Sequence, residues 1–231
     1  MAAELTDETL ARVEAELRRQ LAQWRYLQYF PDDGPLARHL YPRHTQFFSA
    51  GAKHRERLFM AGNRVGKTLC GALETMFHCT GRYPHWWTGR MFDAAGNWTA
   101  AGTTLETTRD IVQSELFGPA GALGTGMIPA SDIDDFKTRP NTNGAIDYAI
   151  IKRVTGGRTR LSLKSFDQGR TAFEGTSLQG VWLDEEPKQA IYTECLTRTA
   201  TTGGIVMVTF TPLMGATDVV MDYINNGVES E

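Results

Sequence analysis

Arg57-Leu58-Phe59-Met60-Ala61-Gly62-Asn63-Arg64-Val65-Gly66-Lys67-Thr68 runs from a short apolar stretch through a Gly-containing turn into a helical pattern. A strand feeding such a turn and then a helix gathers backbone N–H groups at a helix N-terminus, where they attract anions. Residues 61–68 fit the phosphate-loop spacing except at the first position, where Ala61 replaces Gly. In that pattern Gly66 lets the backbone approach a phosphate. Lys67 neutralises the β- and γ-phosphates, and the Thr68 hydroxyl is able to ligate Mg²⁺. ATP and Mg²⁺ are therefore the expected ligands, with Ala61, Gly62, Asn63, Arg64, Val65, Gly66, Lys67 and Thr68 as the ATP-binding set. Arg64 can act as an arginine finger in cis, or it can face outward and pair with an acid.

The surrounding pattern alternates strand and helix. Arg57–Met60 reads as a strand, and Lys67 to Thr80 as a helix ended by Gly81 and Pro84. Trp98-Thr99-Ala100-Ala101 reads as a second strand, with a helix over roughly Leu105–Phe117. Residues 118–144 are rich in Gly, Pro, Asp and Asn and read as an excursion. Alternation in Ala145–Val154 and Arg158–Phe166 predicts a hairpin joined at Gly156-Gly157. Val181-Trp182-Leu183 and Ile205–Phe210 read as buried strands, Lys188–Ala200 as a helix, and a last helix begins near Thr217. At the N-terminus, Leu10, Val13, Leu17, Leu21 and Trp24 predict a helix over 4–29, with start signals near Thr6 and a stop at Pro31. The fold class is α/β: a mostly parallel sheet flanked by helices, of the phosphate-loop NTPase (ASCE) type, with an N-terminal helical arm. The arm is expected over 1–35 and the ATPase domain over 36–231.

A second motif completes the chemistry. Gly180-Val181-Trp182-Leu183-Asp184-Glu185-Glu186-Pro187 is an apolar strand ending in acids. Ligands in open parallel sheets bind beyond the carboxyl ends of strands, so Asp184 can reach the Mg²⁺ shell beside Thr68. Glu185 can orient and deprotonate an attacking water. Strand alternation would put Asp184 and Glu186 on one face, which leaves open whether Glu185 or Glu186 is the base. The three acids also suit the N-terminus of the helix that follows. Ile205-Val206-Met207-Val208-Thr209-Phe210-Thr211-Pro212 ends in hydroxyls. Thr209 or Thr211 can bond the γ-phosphate or the water, although β-propensity explains the threonines equally well.

Composition narrows the class. The 231 residues carry a net charge of −3, which argues against a permanently DNA-gripping basic domain and for local or transient nucleic-acid contact. Arg38, Arg43, Lys53, Arg55, Arg57, Arg64 and Lys67 cluster around Glu56, and read either as a solvated face or as a phosphate-facing one. Cys70, Cys79 and Cys195 suit neither a disulfide framework nor a zinc site, which points to a reducing cytoplasm. No apolar run approaches a membrane span, and the N-terminus lacks a secretory pattern.

Several blocks outside the general loop pattern are specific. Phe59 through Thr68, Thr80-Gly81-Arg82-Tyr83-Pro84, Gln168-Gly169-Arg170, Gly180 through Pro187 and Thr209-Phe210-Thr211-Pro212-Leu213-Met214-Gly215 stand in an order that resembles the large terminase subunit of tailed bacteriophages, closest to short-tailed phages. The resemblance implies an ATPase motor that translocates double-stranded DNA into a procapsid. It implies a portal protein and a small terminase subunit as partners, a homo-oligomeric ring on the procapsid, and action in the host cytoplasm rather than in the mature virion. By it, Gln46 in Tyr41–Gln46 looks like the adenine contact, Arg64 like the loop arginine, Glu185 like the catalytic carboxylate, and Thr209–Thr211 like the coupling motif. The expected catalytic set is thus Glu185, Arg64, Lys67 and Thr211, with Thr68 and Asp184 at the metal. Arg170 stands where a finger in trans would act, and Glu174 occupies a position at which some relatives have Arg. Large terminases also carry a C-terminal nuclease domain. With the sequence ending at Glu231, no second domain and no DNA cleavage are expected of this chain. A helicase-like ATPase and a nucleotide-dependent assembly module that recruits partners through the 4–29 helix are the alternatives.

Overall fold

A computed structural model describes residues 7–212 and 217–226. Seven strands form one sheet: β1 (Glu56–Met60), β2 (Asn97–Gly102), β3 (Ile133–Thr138), β4 (Ile146–Lys152), β5 (Arg158–Ser165), β6 (Gly180–Asp184) and β7 (Ile205–Phe210). Their order is β1-β7-β6-β2-β5-β4-β3. The run from β1 to β5 is parallel, while β4 and β3 add on antiparallel. The loop strand and the acidic strand are therefore not neighbours. β7 lies between them, and the carboxyl ends of all three open on the same side.

Helices cover both faces, as the alternation predicts. Trp98, Ala100, Leu161, Leu163, Trp182, Ile205 and Met207 point to one face, beneath α3 (Lys67–Thr80). Val181, Leu183, Val206, Val208 and Phe210 point to the other, beneath α6 (Gln189–Ala200) and α7 (Asp218–Asn226). With no water on either side, β6 and β7 read as unbroken apolar runs. At about 2–3 kcal/mol for each large side chain removed from water, these two layers dominate the stability.

Several expectations need correction. The N-terminal helix α1 spans Asp7–Gln23, and a 3₁₀ turn follows over Arg25–Gln28. Trp24 interrupts it because its ring stacks on Tyr26 and lies under the Arg82 guanidinium. The break turns Tyr26 and Phe30 into the core. Thr6 and residues 4–6 of the predicted helix lie outside the described residues, as do the side chains of Leu17 and Leu21. Within the 118–144 excursion lies β3, an edge strand exposed along nearly its whole length, which explains its missing hydrophobic signal. A nine-residue helix that periodicity does not reveal, α2 (Pro42–Ala50), begins with Pro42 at its first position. The helix over 105–117 forms as α4 (Leu105–Thr107), a π-helical stretch (Thr108–Gln113) and α5 (Ser114–Phe117).

The basic cluster is not one surface. Arg57 is buried, donating to both oxygens of buried Glu74 and to the Phe47 carbonyl at 2.7 Å. Glu74 also accepts from His78. The Arg57 guanidinium holds the Glu74 carboxyl below its usual range against the effect of burial. Breaking one side of such a pair strands a charge in the core. Arg57→Ala is expected to cost about 3–5 kcal/mol in urea unfolding. A cost below about 1 kcal/mol, the value for an exposed pair, would mean that Glu74 finds solvent.

Candidate nucleotide site

β1 runs into the 61–66 turn, and α3 starts at Lys67 with Gly66 in the left-handed conformation as its cap, φ +84°. A side chain at Gly66 would be strained, and its Cβ would sit 3.1 Å from His44 Nε2. Lys67 is nearly buried and donates to the Gly62 carbonyl at 2.6 Å, so its ammonium crosses the mouth of the loop. Arg64 is exposed, holds φ +61°, and makes no hydrogen bond or ion pair among the described residues.

Thr68 Oγ1 donates to the Asp184 carboxylate at 3.1 and 3.2 Å. From the intervening strand, Thr209 Oγ1 donates to the same carboxylate at 2.7 Å, and Trp182 Nε1 donates to Thr209 Oγ1 at 2.8 Å. Gly71 on α3 makes room for that indole, since a Cβ there would lie 2.2 Å from Trp182 Nε1. Trp182 and Thr209 thus fix the Asp184 rotamer from behind. Trp182 reads in the sequence only as a core residue, and Thr209 as a strand former, as a contact to the γ-phosphate or the water, or as part of the coupling motif, not as a brace for Asp184.

Asp184 is 4% exposed, and burial pushes its carboxyl up to about 7, against the pull of the two threonine hydroxyls. Its partners among hydrogen bonds are neutral hydroxyls, so the ionised group has a use for a cation. Thr68 and Asp184 offer hard oxygen donors, which is the chemistry Mg²⁺ takes. Among the described residues no group of three or more His, Cys, Asp and Glu side chains converges.

The strand ends at Asp184, so alternation does not extend to the next two acids. Glu185 turns into the left-handed region at φ +84°, its N–H bonded to the Thr209 carbonyl at 2.8 Å. The turn sends its carboxylate to the backbone N–H of Thr211 and toward Lys67. Burial raises this carboxyl above its ordinary range, with Lys67 opposing the shift and Glu186 adding to it. Glu186 instead accepts from the Thr217 hydroxyl, which caps α7. Thr211 Oγ1 donates to Asn63 Oδ1 at 2.8 Å and so ties the end of β7 to the loop. Leu213, Met214 and Gly215 lie outside the described residues.

Two expected residues sit farther out. Gln46 is exposed on α2, bonded to Arg43 at 3.0 Å. Arg170 is paired with Glu174 at 2.7 Å and with Glu194 at 2.9 Å.

A family model described as "Terminase large subunit, T4likevirus-type, N-terminal" matches residues 58–230. The large terminase subunit of Salmonella phage P22 is 36% identical over 211 residues, covering 83% of this chain and 42% of the relative. The chain belongs to the terminase large subunit family. Its fold is also that of a large terminase from a thermophilic bacteriophage, with a TM-score of 0.58 at 14% identity over 80% of this chain and 42% of that one. A structure of the thermophilic phage's large terminase in complex with ADP aligns with a TM-score of 0.54 at 15% identity, with the same coverage. This terminase chain therefore spans about two-fifths of the length of the relatives it matches. Among its described residues, no helix is long and apolar enough to cross a membrane, and Cys70, Cys79 and Cys195 are free and buried.

Proposed function

We propose that this chain is the ATPase motor domain of a packaging terminase, hydrolysing ATP to move double-stranded DNA into a procapsid. The observation that carries the reading is the convergence of Thr68, Asp184 and Thr209 from α3 and two adjacent strand ends, beside Lys67. The loop amides and Lys67 bind the β- and γ-phosphates, and Thr68 and Asp184 hold Mg²⁺. When bound, the ion offsets phosphate charge. Glu185 takes a proton from water as its oxygen bonds to the γ-phosphorus. The bond from that phosphorus to the bridging oxygen breaks, and ADP leaves with the electron pair. Arg64 offsets equatorial charge in cis, or another arginine from a neighbour in a ring does so in trans. Asn63 and Thr211 link the loop to β7, the element through which the γ-phosphate state can be sensed. Gln46 is the proposed adenine contact. The portal protein and the small terminase subunit are the proposed partners, and the host cytoplasm the proposed site of action.

The test is ATP binding and single-turnover hydrolysis by the chain and by Lys67→Ala. The variant should bind ATP at least about a hundredfold more weakly, because a charge-assisted contact and the loop brace are lost together. Equal binding by parent and variant would sink the assignment of the loop. Duplex DNA binding should be independent of sequence and fall steeply with salt.

A further inference from the structure

His44 has no place in the chemistry above, yet its side chain joins α2 to the phosphate loop. Its Nε2 lies 2.9 Å from the Val65 carbonyl oxygen. That oxygen can only accept, so Nε2 carries the proton and donates. Burial depresses the imidazole's basicity, which makes the neutral Nε2–H tautomer the resident form. The ring is locked among aromatic partners, 5.1 Å from Phe59, 5.5 Å from Tyr41 and 5.7 Å from Phe30 between centroids. It has little freedom to leave the loop.

The bond acts on a particular peptide. There are no cis peptide bonds in the described chain. In a trans peptide the C=O of one residue and the N–H of the next point in opposite directions. Drawing the Val65 carbonyl toward His44 therefore turns the Gly66 N–H away from His44. Gly66 is the residue at φ +84° that caps α3, directly before Lys67, where the helix presents its free amides. Without a donor at Nε2 the Val65–Gly66 peptide is free to flip, since Gly tolerates either orientation.

We propose that His44 is a positioning residue for phosphate recognition: by holding the Val65 carbonyl it aims the Gly66 N–H at the bound anion. The assignment rests on the phosphate-loop reading above. His44 does not touch the nucleotide itself.

The experiment measures binding of ADP and of inorganic pyrophosphate by calorimetry to the whole chain, His44→Phe and His44→Gln, with thermal melting alongside. Phe keeps a ring in the aromatic nest but has no donor. Gln places an amide N–H₂ near the position of Nε2. His44→Phe should bind pyrophosphate about tenfold more weakly, the loss of one hydrogen bond to a charged group, and His44→Gln should stay within about threefold of the parent. If His44→Phe melts lower but binds both ligands like the parent, His44 is only a packing residue and the inference fails while the loop assignment stands. If the parent binds neither ADP nor pyrophosphate, the loop assignment fails and takes this one with it. Should His44→Phe not fold, His44→Asn replaces it, since its shorter amide stops near Nδ1. Equal binding by the Asn and Gln variants would overturn the proposal, and weaker binding by Asn alone would uphold it.

Discussion

Glu185→Gln is expected to lower single-turnover ATP hydrolysis by about a thousandfold while leaving ATP affinity within a few-fold of the parent. A positioned general base contributes about 10²–10⁴ in rate, and the amide keeps the size of the side chain without accepting the proton. The geometry separates Glu185 from its neighbour. Glu185 leaves the strand in a left-handed turn, where its carboxyl feels the Thr211 N–H and the positive charge of Lys67, whereas Glu186 is engaged by the Thr217 hydroxyl at the start of α7. Glu186→Gln is accordingly expected to hydrolyse ATP within about threefold of the parent, since general-base catalysis is not withdrawn. Rapid-quench measurement of both variants, with binding of a fluorescent ATP analogue in parallel, decides the matter. If Glu186→Gln is the dead variant and Glu185→Gln turns over, the roles are reversed. The raised carboxyl of Glu185 suits a base, because a group that gains a proton readily is the better acceptor. A left-handed non-glycine residue costs on the order of 1–3 kcal/mol and persists where its surroundings over-determine it. Three such residues occur in the described chain, Phe30, Arg64 and Glu185, and the last two lie at this site.

How much of this was legible in the sequence depends on the kind of signal. β6 and β7 are buried on both faces, so Val181-Trp182-Leu183 and Ile205–Phe210 show as continuous apolar runs. Gly66, Lys67 and Thr68 are set by phosphate chemistry at fixed spacing, so they too could be read, as could Asp184 at the end of an apolar strand. Sequence periodicity failed where a residue has two uses. Trp182 looks like core and is core, but its indole N–H also orients Thr209, and nothing in the order of residues announces that. Arg57 belongs by sequence to a basic patch and in space to Glu74, a pairing across 17 positions that only the tertiary fold creates. Strand β3 carries Asp134, Asp135 and Lys137 on an exposed edge, where no face has to be apolar, and its signal vanishes accordingly. The left-handed turns at Arg64 and Glu185 are imposed by tertiary structure on residues that do not favour them.

Asp184→Asn should do two opposite things at once: stabilise the metal-free protein and abolish the gain in stability that Mg²⁺ and ADP bring together. The carboxyl is almost wholly buried, its hydrogen-bond partners are the neutral hydroxyls of Thr68 and Thr209, and burial pushes it up to about 7. In the unfolded chain it titrates near 3.8. Because the folded value is the higher one, the unfolded state loses its proton first. Stability is therefore full below the unfolded value, falls as pH rises toward about 7, and stays low above it. The penalty above that window is on the order of 4 kcal/mol, from about 1.4 kcal/mol per pH unit of displacement. Asn carries no charge and its Oδ1 still accepts from both threonines, so with chelator present at pH 8 the variant should melt about 8–16 °C above the parent. The two should converge toward pH 4. With Mg²⁺ and ADP added the order should invert, because the parent's buried charge becomes the ion's partner and binding to the folded state alone adds stability that grows with ligand concentration. Differential scanning calorimetry across pH 4–8, with chelator and then with Mg²⁺ and ADP, reads both effects. A variant less stable than the parent at pH 8 in chelator would mean that the carboxylate is already compensated in the metal-free fold. The site would then be a structural ion-pair cluster rather than one held open for a metal and a nucleotide, since a charge kept in the core at a cost is what a ligand-binding function explains and a purely structural one does not.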